Sequence, residues 1–269
     1  MRKLSECRAV VFDTDGVIID SARVHAAAWK DAFDAIPGLS PPFDENADYR
    51  RHVDGRSRLD GAAAFLAARG LRLPYGDPDD PPGTETVCAV AARKEELFVE
   101  LLRERGVECW RGTVRLLLAL HDARVRCAAV SASRHARDLL ARAGVRSLLQ
   151  TVVDGNDTAR LHLPGKPEPA LFLEAARRLC VEPEASAVVE DALAGVEAGR
   201  RGGFGLVVGV DRTAGPRPDG RGRGDGDEGR EARVGEAAPS ADGFAEELRR
   251  RGADVVVDDP GQLLDEVSR

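Results

Sequence analysis

Aromatic residues are scarce in this chain: eight Phe, two Trp and two Tyr make up 4% of its 269 residues. That is poor material for the stacking platforms that hold single-stranded nucleic acid. An excess of positive charge is missing too. Lys and Arg number 39 against 46 Asp and Glu, a net charge of −7, so neither nucleic acid nor an anionic membrane is an expected partner. No apolar run approaches the roughly 20 residues of a membrane-spanning helix, and Asp13 and Asp15 interrupt the first apolar run before it could serve as a signal segment. The five cysteines, Cys7, Cys88, Cys109, Cys127 and Cys180, are scattered and form no C-x-x-C. A reduced, cytoplasmic setting is therefore expected. Without secretion, the glycosylation-like triplet Asn156-Asp157-Thr158 carries no meaning.

What is present is an alternation of short apolar runs and helical stretches. Strands are expected over 9–12, 127–131, 152–154, 187–189, 205–210 and 254–257, and helices over 115–122, 136–143, 170–180, 193–201 and 245–251. Strands alternating with helices predict a parallel sheet covered on both faces, a doubly wound, Rossmann-like α/β core. The alternation breaks between residues 20 and 110, where helices over 22–35, 59–68 and 87–105 occur with no clear strand. The expected organisation is a core of residues 1–20 and 109–269 with a helical cap, 21–108, inserted after the first strand. Residues 211–243 are rich in Gly, Arg and acids and nearly free of large apolar side chains, the composition of a disordered loop. Residues 224–229 within it fit G-x-G-x-x-G, but no strand leads in and no helix follows, so a dinucleotide site is rejected.

In a doubly wound sheet, ligands bind beyond the carboxyl ends of the strands. Those ends carry Asp13 and Asp15 in "FDTDGV", Ser131-Ala132-Ser133 in "VSASR", and Glu190-Asp191 in "VVEDALAG"; Lys166, in "GKPEP", precedes the helix feeding the last of these strands. Four carboxylates in one crevice repel each other unless a cation joins them, and an all-oxygen set suits a hard ion such as Mg²⁺. Ser131 and the backbone N–H groups after it are expected at a helix N-terminus, ready for an anion, with Lys166 as a second positive group. The sum is a phosphoryl-transfer site, in which one carboxylate would be the nucleophile and another the proton donor and acceptor. Taken singly, each feature has a plainer reading. A lone D-x-D is often a solvated turn, Ser131 a helix cap, Lys166 and Glu190 a surface ion pair, and His25 a packing partner of Trp29.

In order and spacing, these four motifs resemble those of the haloacid dehalogenase superfamily, from about residue 8 to residue 210. The resemblance implies Asp13 as nucleophile and Asp15 as general acid/base, with Ser131 and Lys166 holding the transferring phosphoryl group. It implies Mg²⁺ bound by Asp13, Glu190, Asp191 and the backbone carbonyl of Asp15. An Asp two residues after the first is similar to the phosphatases and phosphomutases of the superfamily. The cap resembles that of the β-phosphoglucomutase-like subfamily through "DGVIIDSARVHAAAWK", with His25 and Trp29, through "VDGRSRLDG", with Gly55 and with Arg58 on the distal phosphate, and through "RKEEL", with Lys94. Ala132, Ser133 and His135 complete the implied substrate contacts, although His135 stands where the subfamily pattern has an asparagine. The implied activity is interconversion of β-D-glucose 1-phosphate and D-glucose 6-phosphate through an aspartyl phosphate and a bisphosphate. The alternative is a Mg²⁺-dependent sugar-phosphate phosphatase. A non-enzymatic binder would have no need of a nucleophile, and here the motif carboxylates and Lys166 are intact. A monomer acting on a small sugar phosphate is expected. His52, His121 and His162 are read as ordinary side chains.

Overall fold

Six strands, each following an apolar run, form one parallel sheet: β1 Ala9–Asp13, β2 Arg126–Val130, β3 Thr151–Val153, β4 Ser186–Glu190, β5 Leu206–Val210 and β6 Val255–Val257, in the order β3-β2-β1-β4-β5-β6. The structure is a computed structural model and describes residues 3–212 and 241–267. Of the stretch 211–243, residues 213–240, including the glycine run at 224–229, lie outside the described residues. At its ends, Asp211 is buried beyond β5, and 241–243 open a helix.

Alternate residues of the strands serve opposite faces. Val10, Phe12, Cys127, Ala129, Val189 and Val208 pack on one side with α4 (Arg111–Asp122) and α5 (Ala136–Arg142). Ala9, Val11, Ala128, Val130, Val188 and Val207 pack on the other with α7 (Ala170–Leu179), α8 (Leu193–Arg201) and α9 (Ala241–Arg251). With both faces covered, β1, β4 and β5 are buried along their whole length.

The stretch between β1 and α4 holds three long helices, α1 (Ala22–Asp34), α2 (Arg58–Ala68) and α3 (Val87–Arg105). Ser57 and Thr86 cap the second and third, accepting the N–H of Asp60 at 3.2 Å and of Ala89 at 2.9 Å. Trp29, Phe33, Phe43, Phe65, Leu66 and Val90 form a separate apolar cluster here, which gathers four of the chain's ten Phe and Trp residues. The two segments joining these helices to the sheet lie side by side, with Asp20 N–H donating to Glu108 at 2.9 Å and Trp110 N–H to Ile18 at 3.0 Å. Among the described residues two α-helices were not anticipated from the sequence, α6 (Gly155–Leu161) and α10 (Leu264–Val267), nor was the π-helical turn Tyr49–Val53.

Candidate active site

The register assembles the site. Asp13 at the end of β1 lies opposite Val130, the last residue of β2, and Phe12 lies opposite Val189, so that Asp13 and Glu190 end neighbouring strands. The chain then turns at Gly16, whose φ of +81° is left-handed and whose missing side chain leaves room for Asp191; a Cβ there would collide with that carboxylate. Ile18 and Ile19 N–H close the turn onto Thr14 O at 3.0 and 2.9 Å. Asp15 is thereby lifted off the strand and faces different neighbours from Asp13.

Asp13 is buried beside Lys166, which donates to it and, at 2.7 Å, to Glu190. Asp13, Glu190 and Asp191 each offer an oxygen within 4.8 Å of the others. Burial, and then the Glu190 charge, raise the Asp13 carboxyl well above the usual carboxylate range, although Lys166 opposes the shift. Asp191 is raised in the same sense by burial and by Asp54, Glu190 and Asp13. Asp54, a cavity-lining residue of the short loop that leads into α2, is pushed up to about 7 by burial and then by Glu190. One ammonium among so many carboxyls leaves a deficit of positive charge, and the donors are all oxygen; this matches a hard divalent cation.

Asp15 takes the opposite course. Burial pulls its carboxyl upward, but the hydrogen bond and charge of His25, with the hydroxyls of Ser21 and Ser131, outweigh burial and hold it well below the usual range. Ser131 donates at 2.8 Å, and His25 Nε2 lies 3.4 Å away. Lys94, itself buried, donates to His25 Nδ1 at 2.9 Å; an ammonium has no lone pair, so Nδ1 accepts and Nε2 carries the hydrogen toward Asp15. Burial, and then Lys94, lower the His25 pKa, while the hydrogen bond to Asp15 opposes the shift. The ring stacks on Phe98 with centroids 3.9 Å apart, and it is Phe33 that stacks on Trp29. The plain expectation for His25, packing against Trp29, is not what the structure has.

A cavity of about 280 Å³ opens between sheet and cap. Asp13, Asp15, Lys166, Glu190, Asp191, Ala132 and Ser133 line its core wall, and His25, Trp29, Gly55, Arg58 and Lys94 its cap wall. Among the described residues Arg58 has no ion-pair partner. Two expectations change. Ser131 is not at a helix N-terminus, because α5 begins only at Ala136. Residues 131–135 instead form a loop stitched by its own hydroxyls, with Ser131 Oγ accepting from Ser133 N–H at 3.0 Å and Ser133 Oγ from His135 N–H at 3.2 Å. His135 lies off the cavity wall and its Nε2 reaches Glu95 at 2.7 Å. Sequence reasoning passed over Tyr49, Asp54, Arg56, Glu95, Gly155 and Thr158, all in the wall. Arg56 carried a signal, since it lies two residues before Arg58, which opens α2. Gly155 and Thr158 carried none without α6. Arg212 was also missed. It donates to Gly16 O at 3.0 Å and Val17 O at 3.3 Å, over the Trp110 ring at 3.9 Å, and so props the turn that presents Asp15.

At the family level, residues 7–203 match the haloacid dehalogenase-like hydrolases. The chain belongs to the haloacid dehalogenase superfamily. Within the superfamily it is β-phosphoglucomutase-like, an enzyme of the phosphomutase or phosphatase kind. It is 42% identical over 265 residues to a β-phosphoglucomutase of Mycobacterium bovis, covering 96% of this chain and 91% of that one. It is 32% identical over 203 residues to a β-phosphoglucomutase of Bacillus subtilis, covering 76% and 83%. The crystal structure of a Clostridium difficile β-phosphoglucomutase superposes with a TM-score of 0.69 over 97% of each chain at 22% identity, a likeness of fold. In this haloacid dehalogenase-like enzyme the cap is therefore part of the family architecture, and the cavity lies between its two parts. No helix among the described residues is long and apolar enough to cross a membrane.

Proposed function

We propose that this enzyme interconverts β-D-glucose 1-phosphate and D-glucose 6-phosphate through phosphorylated Asp13 and a glucose bisphosphate. The observation that carries this reading is one cavity with two unlike walls: Asp13 and Asp15 on the core side, and Arg58, without an ion-pair partner among the described residues, with Arg56 on the cap side. A phosphatase needs to hold only the reacting phosphate, whereas a mutase must hold a second one while the first is transferred.

Starting from phosphorylated Asp13, the sugar 6-hydroxyl attacks phosphorus, the bond to Asp13 breaks, and Asp15 takes the hydroxyl proton. Asp15 starts as a carboxylate and lines the same core wall of the cavity as Asp13, so it is in reach of that proton. The bisphosphate then turns round. Asp13 attacks the phosphorus at position 1, the bond to the sugar oxygen breaks, and Asp15 returns its proton to that oxygen. Lys166 keeps positive charge beside Asp13 throughout. Arg58 grips the phosphate that is not reacting, and a planar guanidinium suits that contact. The cap walls off water, which would otherwise hydrolyse the acyl phosphate. Asp13, Glu190, Asp191 and the backbone carbonyl of Asp15 would hold Mg²⁺, which when bound offsets the negative charge on the phosphoryl oxygens.

The test is to incubate the protein with Mg²⁺, β-D-glucose 1-phosphate and a trace of the 1,6-bisphosphate, and to compare glucose 6-phosphate with inorganic phosphate. Glucose 6-phosphate should dominate, and Asp13→Asn should abolish both products. Steady phosphate release with no isomerisation would assign the protein as a sugar-phosphate phosphatase, and activity retained in Asp13→Asn would remove the covalent step.

A further inference from the structure

The polar contacts around Asp15 form a closed ring that crosses between core and cap twice. Lys94 Nζ leads from His25 to Glu95 at 3.7 Å, and Glu95 Oε1 meets His135 Nε2 at 2.7 Å, back on the core. From His135 the path returns through its own N–H to Ser133 Oγ, through Ser133 N–H to Ser131 Oγ, and from Ser131 to Asp15 Oδ2 at 2.8 Å. His25 completes the circuit at Asp15 Oδ1. The fully buried Phe98 fills part of the ring, with His25 stacked on it and Lys94 Nζ 4.3 Å from its centroid. The cap crosses to the core in the ring at only two links, His25 to Asp15 and Glu95 to His135. In either charge state an imidazole can carry hydrogen at Nε2 and donate to Glu95.

We propose that Glu95 and His135 are positioning residues: their contact latches α3 to the 131–135 loop and so reports cap seating to Asp15 from both sides. The proposal rests on the phosphoryl-transfer reading above for Asp15, but the latch itself does not. When the cap lifts, Glu95 leaves His135 and the loop loses its outer tether. At the same moment His25, carried on α1 of the cap, leaves Asp15. The acid/base is then fully placed only while the cavity is shut, which is when an acyl phosphate is safe from water. Both side chains are partly exposed, so each contact is modest, and the ring owes its effect to closure.

A double-mutant cycle with E95Q, H135N and the pair tests this. Each single variant should lower kcat for sugar-phosphate turnover about fivefold, within what one partly exposed ion pair supports. The double variant should be no worse than the poorer single. Phosphorylation of Asp13 by acetyl phosphate, whose acetate leaves without a proton, should change less than twofold. By hydrogen exchange and mass spectrometry, peptides covering 131–136 should exchange faster in either single variant than in the parent. H135Q, long enough to reach Glu95, should restore protection and part of kcat. Losses that multiply in the double variant, or unchanged exchange over 131–136, would overturn the latch. Equal losses on acetyl phosphate would show instead that these residues serve Asp13 or the fold. If the parent turns over no sugar phosphate, the functional reading fails, and exchange alone still decides the latch.

Discussion

Asp13 and Asp15 are one residue apart and are driven in opposite directions, because a side chain's charge is set by what surrounds it. Asp13 meets carboxylates and a single ammonium, and Asp15 meets the donors of His25, Ser21 and Ser131. This is the division of labour expected of a nucleophile that needs a cation's help and a base that must stay ionised. Arg58 is the residue whose removal should separate its two possible uses. Arg58→Ala should lower kcat/KM for isomerisation at least about tenfold, as loss of one charge-assisted contact of roughly 1.5–3 kcal/mol allows. Hydrolysis of acetyl phosphate, which has no second phosphate, should change little. Equal losses in the two assays would place Arg58 with the reacting phosphate or the fold.

At the level of elements, α6 depends on an acidic hub. Asp154 caps it by accepting the N–H of Asn156 and Asp157 at 3.0 and 3.1 Å. Asp157, buried, takes Arg137 at 2.6 Å, Arg160 at 2.6 Å and Arg178 at 2.8 Å. The helix they hold supplies Gly155 and Thr158 to the cavity wall. Arg178, first, and then Arg160 and Arg137, hold the Asp157 carboxyl far below the usual carboxylate range despite burial. The folded pKa is lowered, so the stabilisation is complete above the unfolded value of about 3.9 and is lost as pH falls below it. Asp157→Asn should therefore cost about 2–3 kcal/mol at pH 7, the range for charge-assisted bonds whose arginine partners are partly solvated. The gap between parent and variant should narrow steadily from pH 5 to pH 2. Urea denaturation across that range measures it, and a gap independent of pH would mean that the arginines do not depend on the Asp157 charge.

For the whole molecule, function depends on how closely the cap loop can approach the core. Gly55 is the tightest point. Its φ is +68°, and a Cβ there would stand 2.8 Å from that of Ala192, one residue past Asp191. Gly55→Ala should lower stability by about 1–2 kcal/mol from the left-handed backbone alone. It should also keep the loop from seating, with a rise in KM for sugar phosphates that acetyl phosphate does not share. An unchanged KM would show that the loop seats elsewhere during turnover.

The six strands, the helical insertion and the four motifs were all legible in the chain, because apolar periodicity and turn residues are local signals and a parallel sheet always gathers the carboxyl ends of its strands. Asp13, Asp15, Lys166, Glu190 and Asp191 could thus be assigned to one crevice before any coordinates were known. What the chain could not disclose depends on contacts between segments far apart in sequence. α6 is a short helix with only the Asp154–Asp157 capping pair as a local signal, and its hub draws on arginines from α5 and α7. His135 turns from the cavity to Glu95 only because α3 lies across from it, and Asp54 joins the core carboxylates only because the cap loop folds over them. The opposite shifts of Asp13 and Asp15 likewise belong to the tertiary structure, since burial and neighbouring charge, not residue type, set each carboxyl's affinity for its proton.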